Sequence, residues 1–297
     1  MKFLPIFLTI ALLSACRNTE KPQNTLLDST HIYPTISYLK IKLDSERHLP
    51  ANPYIMEFKN GKKQVVFCGV NHLKDDSDIK NPMFDTIEKK FFAFRPELCI
   101  NEGGDISQKI YSSKNDALLK DGEIGLVKIL ADSLKVKAIN GDISDSLEFR
   151  QLLKKYTKGE FLAYIVTERL MWGLRGANIL KHDEIESKFN GFIKDYIMEK
   201  GKVSLNPEER SFAFYKSNYQ KLLNIPFDIE ELEPTDPFNP KGKFQEIGRT
   251  SKEIRDQFLL KTIDKLLDSH DKIFIVFGGW HLLTCEPGLK EIINRKR

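Results

Sequence analysis

The chain has 297 residues, of which 41% are hydrophobic and 30% are charged, with a formal net charge of +4 at pH 7. This composition is typical of a soluble globular protein with one large domain or two small ones. The charge is too mild to indicate nucleic-acid binding, and no basic stripe stands out.

The N-terminus has the pattern of a bacterial lipoprotein signal. Lys2 gives a basic start, and the apolar run behind it is too short to span a bilayer. The run ends in the motif LSAC at Cys16, which resembles a lipobox, where the signal is cut before a cysteine that then carries the lipid. We expect a signal peptide over 1–15, a lipid such as palmitate on Cys16, and a polar tether over 16–30. The alternative is a secreted protein that is cut after Ala15.

The first half of the fold has the pattern of an α/β layer. A strand over 54–58, a turn at Asn60-Gly61 and a return strand over 64–69 predict a hairpin. A helix, a strand, a helix and a strand are predicted next, over 81–95, 97–102, 117–134 and 136–140. Strands that alternate with helices predict parallel pairing.

The middle of the chain is predicted to be helical. Apolar residues recur every three to four positions in four segments, over 147–156, 160–178, 184–200 and 207–223. We interpret them as a helical insertion over about 145–225. The fold class that follows is α/β, or α+β: a mixed central sheet flanked by helices, within a single domain over 31–297.

The segment from Pro226 to Gly248 contains four prolines and an acidic run, so we predict a long loop that is either a lid or a solvated connection. The pattern from Thr250 to Glu253 predicts a capping box that begins the next helix. That helix is expected to end near Ser269.

A Gly-x-x-His segment follows each of two apolar runs. Gly69 to His72 comes after VVFC, and Gly278 to His281 comes after IFIVF. Short apolar runs bounded by glycine are typical of buried strands, and α/β proteins place their sites where the chain leaves the sheet. We expect the two histidines to meet in one pocket if their strands are neighbours. The alternative is two buried histidines at strand ends.

Glu102 is the third candidate, because it ends a predicted strand and is followed by Gly103-Gly104. Two imidazoles and one carboxylate form a common open metal site, or they act without metal as a general base and its partners. The alternative for Glu102 is a solvated loop residue or a helix cap. The motifs of serine hydrolases, P-loop proteins and zincins do not occur.

Arg255 and Asp256 are predicted to lie in the first turn of their helix, where a cation opposes the helix dipole. This placement suggests that Arg255 clamps a substrate carboxylate or holds Glu102, the alternative being a surface ion pair. Glu123 follows Asp121-Gly122 and is more typical of a first-turn helix carboxylate than of a ligand.

Three stretches resemble the TraB/GumN/Tiki superfamily, which is related to the erythromycin-esterase and ChaN-like proteins. They are FCGVNH, PELCINEGG and IRDQFLLKTIDKLLDSHDKIFIVFGGWHLL. The resemblance implies a cleft in which His72, Glu102 and His281 bind a divalent metal, which we expect to be Mn, Co or Zn. The family often has Glu-Pro after the third strand, whereas this chain has Asn140-Gly141-Asp142, so Asp142 is the candidate substitute.

The implied function is a lipid-anchored envelope hydrolase that cleaves a peptide or ester bond, on the periplasmic or outer-membrane face of a Gram-negative cell. His72, Glu102, His281 and Arg255 are the expected catalytic residues, with Arg255 and Asp256 binding substrate. Two alternatives stay open: a metal-free hydrolase like erythromycin esterase, and a non-catalytic lipoprotein that binds haem, iron or another ligand. The expected partners are the membrane and a peptide or small-molecule substrate, without nucleic acid, and a homodimer stays open.

Overall fold

The computed structural model describes residues 30–41, 49–72 and 79–296. The predicted signal peptide, the predicted lipidation site Cys16 and all but the last residue of the predicted tether lie outside these ranges. No helix in the described part of the chain combines the length and the apolar character that are needed to cross a membrane.

Within the described ranges, five strands form one mixed sheet. They are β1 (Tyr54–Asn60), β2 (Lys63–Val70), β3 (Leu98–Asn101), β4 (Lys137–Asn140) and β5 (Lys272–Gly278). Their order across the sheet is β1-β2-β5-β3-β4. Only the β1–β2 hairpin is antiparallel among these strands, and the three other pairs are parallel. The predicted mixed α/β fold is confirmed.

Strand β5 comes last in the chain and lies between β2 and β3. Its register sets Val70 opposite Gly278 on one side, and Asn101 opposite Val276 on the other. Parallel strands end at the same edge of a sheet, so the residues that follow β2, β3 and β5 lie side by side. The condition for the two Gly-x-x-His segments to meet is therefore fulfilled.

Helices cover both faces of the sheet. On one face, Val66 and Cys68 of β2 pack with α1 (Pro82–Phe94) and α2 (Lys114–Leu134). On the other face, Val65 and Phe67 pack with α8 (Lys243–Leu266) and α9 (Gly279–Arg295). This alternation follows from the two-residue period of a strand, and burial on both faces explains why β2 and β5 read as continuous apolar runs.

The middle segment forms its own helical layer. Its α-helices are α3 (Asp145–Leu152), α4 (Lys158–Val166), α5 (Trp172–Gly176), α6 (His182–Gly191) and α7 (Phe212–Leu223), with π-helical stretches over Thr167–Met171 and Phe192–Lys200. They bury a separate apolar cluster around aromatic side chains, including Phe161, Tyr164, Phe189, Tyr215 and Tyr219. The helical nature of this segment is confirmed.

The predicted start of α8 is wrong. The helix begins at Lys243, after Gly242 with φ of 104°, so the preceding loop ends earlier than predicted and no capping box forms at Thr250. The polar residues that resemble a cap serve distant partners instead. Thr250 bonds to the Tyr156 hydroxyl, and Ser251 donates to Glu148. Arg255 and Asp256 therefore lie in the interior of α8, where the argument from the helix dipole does not apply.

Candidate functional site

The edge where β2, β3 and β5 end forms the floor of an open cavity of about 600 Å³. His72 lies two residues beyond β2, and Glu102 directly follows β3. His281 lies in the first turn of α9, just beyond β5, and Arg255 reaches the same cavity from α8. The structure thus brings together the four side chains that were predicted to be catalytic.

Glu102 is the hub of this group. One oxygen, Oε1, accepts a 2.6 Å hydrogen bond from Arg255, and the other, Oε2, accepts a 2.5 Å bond from the Gly278 N–H. His72 Nε2 lies 3.2 Å from Oε2, and His281 Nε2 lies 3.8 Å from Oε1. Burial acts to raise the pKa of Glu102, but the hydrogen bond from His72 and the charges of a protonated His281 and of Arg255 hold it well below its usual value. Glu102 is therefore an ionised carboxylate.

His72 lies between two carboxylates. Its Nδ1 is 2.5 Å from Glu123 Oε1, its Nε2 faces Glu102, and half of its side chain is exposed. Hydrogen bonds to Glu102 and Glu123 raise the pKa of His72 to about 10, against the opposing effect of burial. Without another cation at Nε2, the ring is an imidazolium at neutral pH.

A break in α2 aims Glu123 at His72. Asp121 and Gly122 leave the helical conformation, and Gly122 has φ of 52°, which glycine adopts without strain. Glu123 therefore begins a new helical segment, as its sequence context suggested, and its side chain is only 10% exposed. Its partner is the imidazole ring.

His281 is held from behind by Asp256. The His281 Nδ1 lies 2.5 Å from Asp256 Oδ1, and the Tyr38 hydroxyl donates to Oδ2 at 3.1 Å. Asp256 is 1% exposed, and it does not line the cavity that was expected to receive it as a substrate-binding residue. It fixes the ring so that Nε2 faces Glu102.

Arg255 is clamped by Asp142 and Glu102. Its Nε and one terminal nitrogen donate to Asp142 Oδ1 at 3.0 and 2.6 Å, and the same terminal nitrogen donates to Glu102. Asp142 in turn accepts from the Gly103 N–H at 3.2 Å. Of the two roles predicted for Arg255, this geometry is that of a residue that holds Glu102.

Several other cavity residues were not predicted. They are Tyr38, Glu168, Thr235, Phe238, Lys252 and Trp280. Trp280 lies inside the second Gly-x-x-His segment, and Lys252 lies one helical turn before Arg255. Their closeness in sequence to predicted site residues could have identified both. Tyr38 and Phe238 come from segments without a periodic pattern, and nothing local indicates that they reach the cavity.

The donor set fits a divalent metal in its chemistry. Each imidazole is held through Nδ1 by a largely buried carboxylate, as is usual for metal-binding histidines. The distances of 3.2 and 3.8 Å from the two Nε2 atoms to Glu102 compare with roughly 3.4 Å between two ligands of a tetrahedral metal with bonds near 2.1 Å. As their side chains lie, however, no group of three or more His, Cys, Asp or Glu among the described residues is arranged to hold a metal.

No protein-family model matches this chain, and no curated protein matches it.

Proposed function

We propose that this chain is a lipid-anchored envelope hydrolase of the TraB/GumN/Tiki type that cleaves a peptide or ester bond with a divalent metal. One observation carries the proposal. Two histidines, each held by a carboxylate, turn Nε2 towards one ionised glutamate on the floor of an open cavity. Strongly perturbed titratable groups that converge in a cleft are typical of catalytic sites.

His72, Glu102 and His281 would hold the metal, through both Nε2 atoms and a carboxylate oxygen. When bound, the metal supplies a Lewis acid for the carbonyl and for the attacking water. Glu123 and Asp256 accept the Nδ1 protons, which leaves the Nε2 lone pairs directed into the cavity.

Arg255 keeps Glu102 in place throughout the reaction. Its guanidinium is itself anchored by Asp142. Movement of Glu102 away from the site would leave the largely buried Arg255 with only Asp142 as a partner, which is unfavourable. The Gly278 N–H fixes the second oxygen of the same carboxylate. The group that would share a metal with the two rings is therefore preorganised.

A metal-free hydrolase is the second candidate, and the His281–Asp256 pair favours it. This pair has the geometry of a general base with an orienting carboxylate. In that mechanism His281 Nε2 takes a proton from water, and the hydroxide adds to the carbonyl. The His72 imidazolium stabilises the oxyanion, and the proton on His281 then passes to the leaving group.

Metal analysis and kinetics on the purified full chain, with the His72→Ala/His281→Ala double mutant as control, test the proposal. We expect wild type to bind more Mn, Co or Zn than the double mutant, and to cleave p-nitrophenyl esters or fluorogenic peptides in a chelator-sensitive way. Activity that survives chelation but is lost in Asp256→Asn supports the metal-free mechanism. Equal metal content in both proteins, with no cleavage of any substrate, refutes the hydrolase.

The lipid anchor is tested separately. Labelled palmitate should enter the wild-type chain and not Cys16→Ser, and the variant should leave the membrane fraction. A wild-type chain that takes up no label and stays soluble contradicts the anchor without touching the catalytic proposal.

A further inference from the structure

Lys252 lies at the junction of two cavities. It lines the main cavity and also a neighbouring cavity of about 290 Å³, and the two share Glu168, Lys252 and Arg255. The second cavity is walled mainly by charged and polar side chains.

Lys252 has no hydrogen bond or ion pair with any residue of the described ranges. Two buried lysines of the described ranges are paired, in contrast. Lys63 lies 2.8 Å from Asp271, and Lys128 lies 2.6 Å from Asp132. Arg255, a cation one turn further along the helix, already has two carboxylate partners. Lys252 thus lines the site without a hydrogen-bond or ion-pair partner among the described residues.

An ammonium group that is withdrawn from water without a partner is costly. Burial, and then the charge of Arg255, lower the pKa of Lys252, and the carboxylates of Glu168, Glu102 and Glu148 offset this effect only in part. An anion beside Lys252 would supply the missing partner. The unfavourable placement of this charge is therefore relieved by a ligand of opposite sign.

We propose that Lys252 binds a carboxylate of the substrate, so that the substrate is an ester or amide with a free carboxylate close to the scissile bond. The inference rests on the proposed function for the reaction itself. A singly charged carboxylate fits better than a phosphate dianion, because Glu168 and Glu102 line the same cavity and repel excess negative charge.

Aromatic side chains of the same cavity suit an apolar portion of such a substrate. Phe238 and Trp280 pack edge to face with ring centroids 4.9 Å apart, and Tyr38 packs beside Phe238 at 5.7 Å. Aromatic surface and cationic side chains in one cavity are typical of sites that orient an amphipathic ligand.

The first test compares two chromogenic esters that differ only in charge, mono-p-nitrophenyl adipate and its methyl ester. Wild type should have the higher kcat/KM for the free acid. Lys252→Met should lower the acid-to-methyl-ester ratio of kcat/KM by roughly ten- to hundredfold, the usual range for a charge-assisted hydrogen bond. Lys252→Arg should restore most of the ratio. Lys265→Met, an exposed lysine further along the same helix, should leave it unchanged.

The second test measures binding without turnover. The chain has two tryptophans, so Trp172→Phe leaves Trp280 as the fluorescent reporter inside the cavity. Adipate should quench Trp280 at lower concentration than adipamide, and Lys252→Met should abolish the difference. If Lys252→Met does not fold, Lys252→Gln takes its place in both tests.

The two readouts separate the inference from the proposed function. Adipate that binds no more tightly than adipamide to wild type overturns the carboxylate subsite, even if esters are cleaved. A preference for the acid that persists in Lys252→Met overturns it as well. If no ester is cleaved but adipate binds through Lys252, the hydrolase is wrong and the carboxylate subsite stands.

Discussion

Gly278 is the point around which the candidate site is packed, and a single methyl group there tests the geometry. A Cβ atom on Gly278 would lie 2.9 Å from Glu102 Oε2, 3.1 Å from His72 Nε2 and 3.5 Å from His281 Cδ2. The backbone itself accepts alanine, because φ of Gly278 is −51°. Any effect of Gly278→Ala therefore arises from the space between these three side chains.

The size of the effect follows from the contacts. Non-bonded atoms are comfortable at about 3.5 Å, so Glu102 must retreat by roughly half an ångström. Arg255 and the Gly278 N–H restrain that movement. Overpacking of this kind costs about 1–3 kcal/mol of stability. A reacting group displaced by 1 Å loses on the order of 10²-fold in rate, so we expect Gly278→Ala to lower kcat/KM at least about tenfold.

The assay combines kcat/KM on the best ester or peptide substrate with urea unfolding. Gly191→Ala is the matched control, because a Cβ there meets nothing within 4 Å and the residue is helical. The control should keep full activity and gain up to about 1 kcal/mol of stability. A folded Gly278→Ala protein with wild-type kcat/KM would show that the chemistry does not occur between these three side chains.

Three further predictions concern groups behind the site and in the helical layer. Asp256→Asn and Glu123→Gln should each lower kcat/KM and metal affinity roughly 10- to 100-fold, and changes below twofold in both measurements contradict their roles. Arg169→Met leaves Glu148, 3% exposed, without its cation, so the urea-derived free energy of unfolding should fall by about 3 kcal/mol, and a loss under about 1 kcal/mol refutes this. Burial acts to raise the pKa of Asp145, but hydrogen bonds and nearby cations lower it overall from 3.8. Its stabilisation is therefore present above that pH and is lost as the pH falls through the folded value. Asp145→Asn should flatten the loss of stability in acid, and an unchanged slope below about pH 4 contradicts this prediction.

The sequence predicted the position of His72 and His281 because their signal is local and repeated. Each follows an apolar run and a glycine, and that pattern alone locates a strand end. The pattern could not show that β2 and β5 are neighbouring strands, because β5 lies near the C-terminal end of the chain and yet at the centre of the sheet. The pairing of Val70 with Gly278 depends on the whole chain packing against β2 and β5, and no short segment records it.

The errors at α8 have the opposite cause. Thr250 and Ser251 imitate a helix cap because they are polar, yet their polarity serves Tyr156 and Glu148 in a different layer of the fold. Residues that are polar because of their tertiary contacts thus resembled a local helix-capping motif. Asp256 was misjudged with them, because a buried carboxylate inside a helix is explained only by its partner, the His281 ring.

The charge balance of the site explains why the same residues serve both candidate mechanisms. Glu102, Glu123 and Asp256 contact the two rings, and only Glu102 also contacts Arg255. Arg255 is shared with Asp142, so protons on the imidazoles or a divalent ion between them would supply the positive charge that directly contacts the ring-facing carboxylates.

Alanine at His72 or His281 removes activity in either case, because each mechanism uses both rings. The mechanisms differ in whether protons or a metal ion neutralise the carboxylates. This difference can be measured in the wild-type protein. Metal content and the effect of chelation on the wild-type chain therefore discriminate between them, whereas a longer series of alanine variants does not.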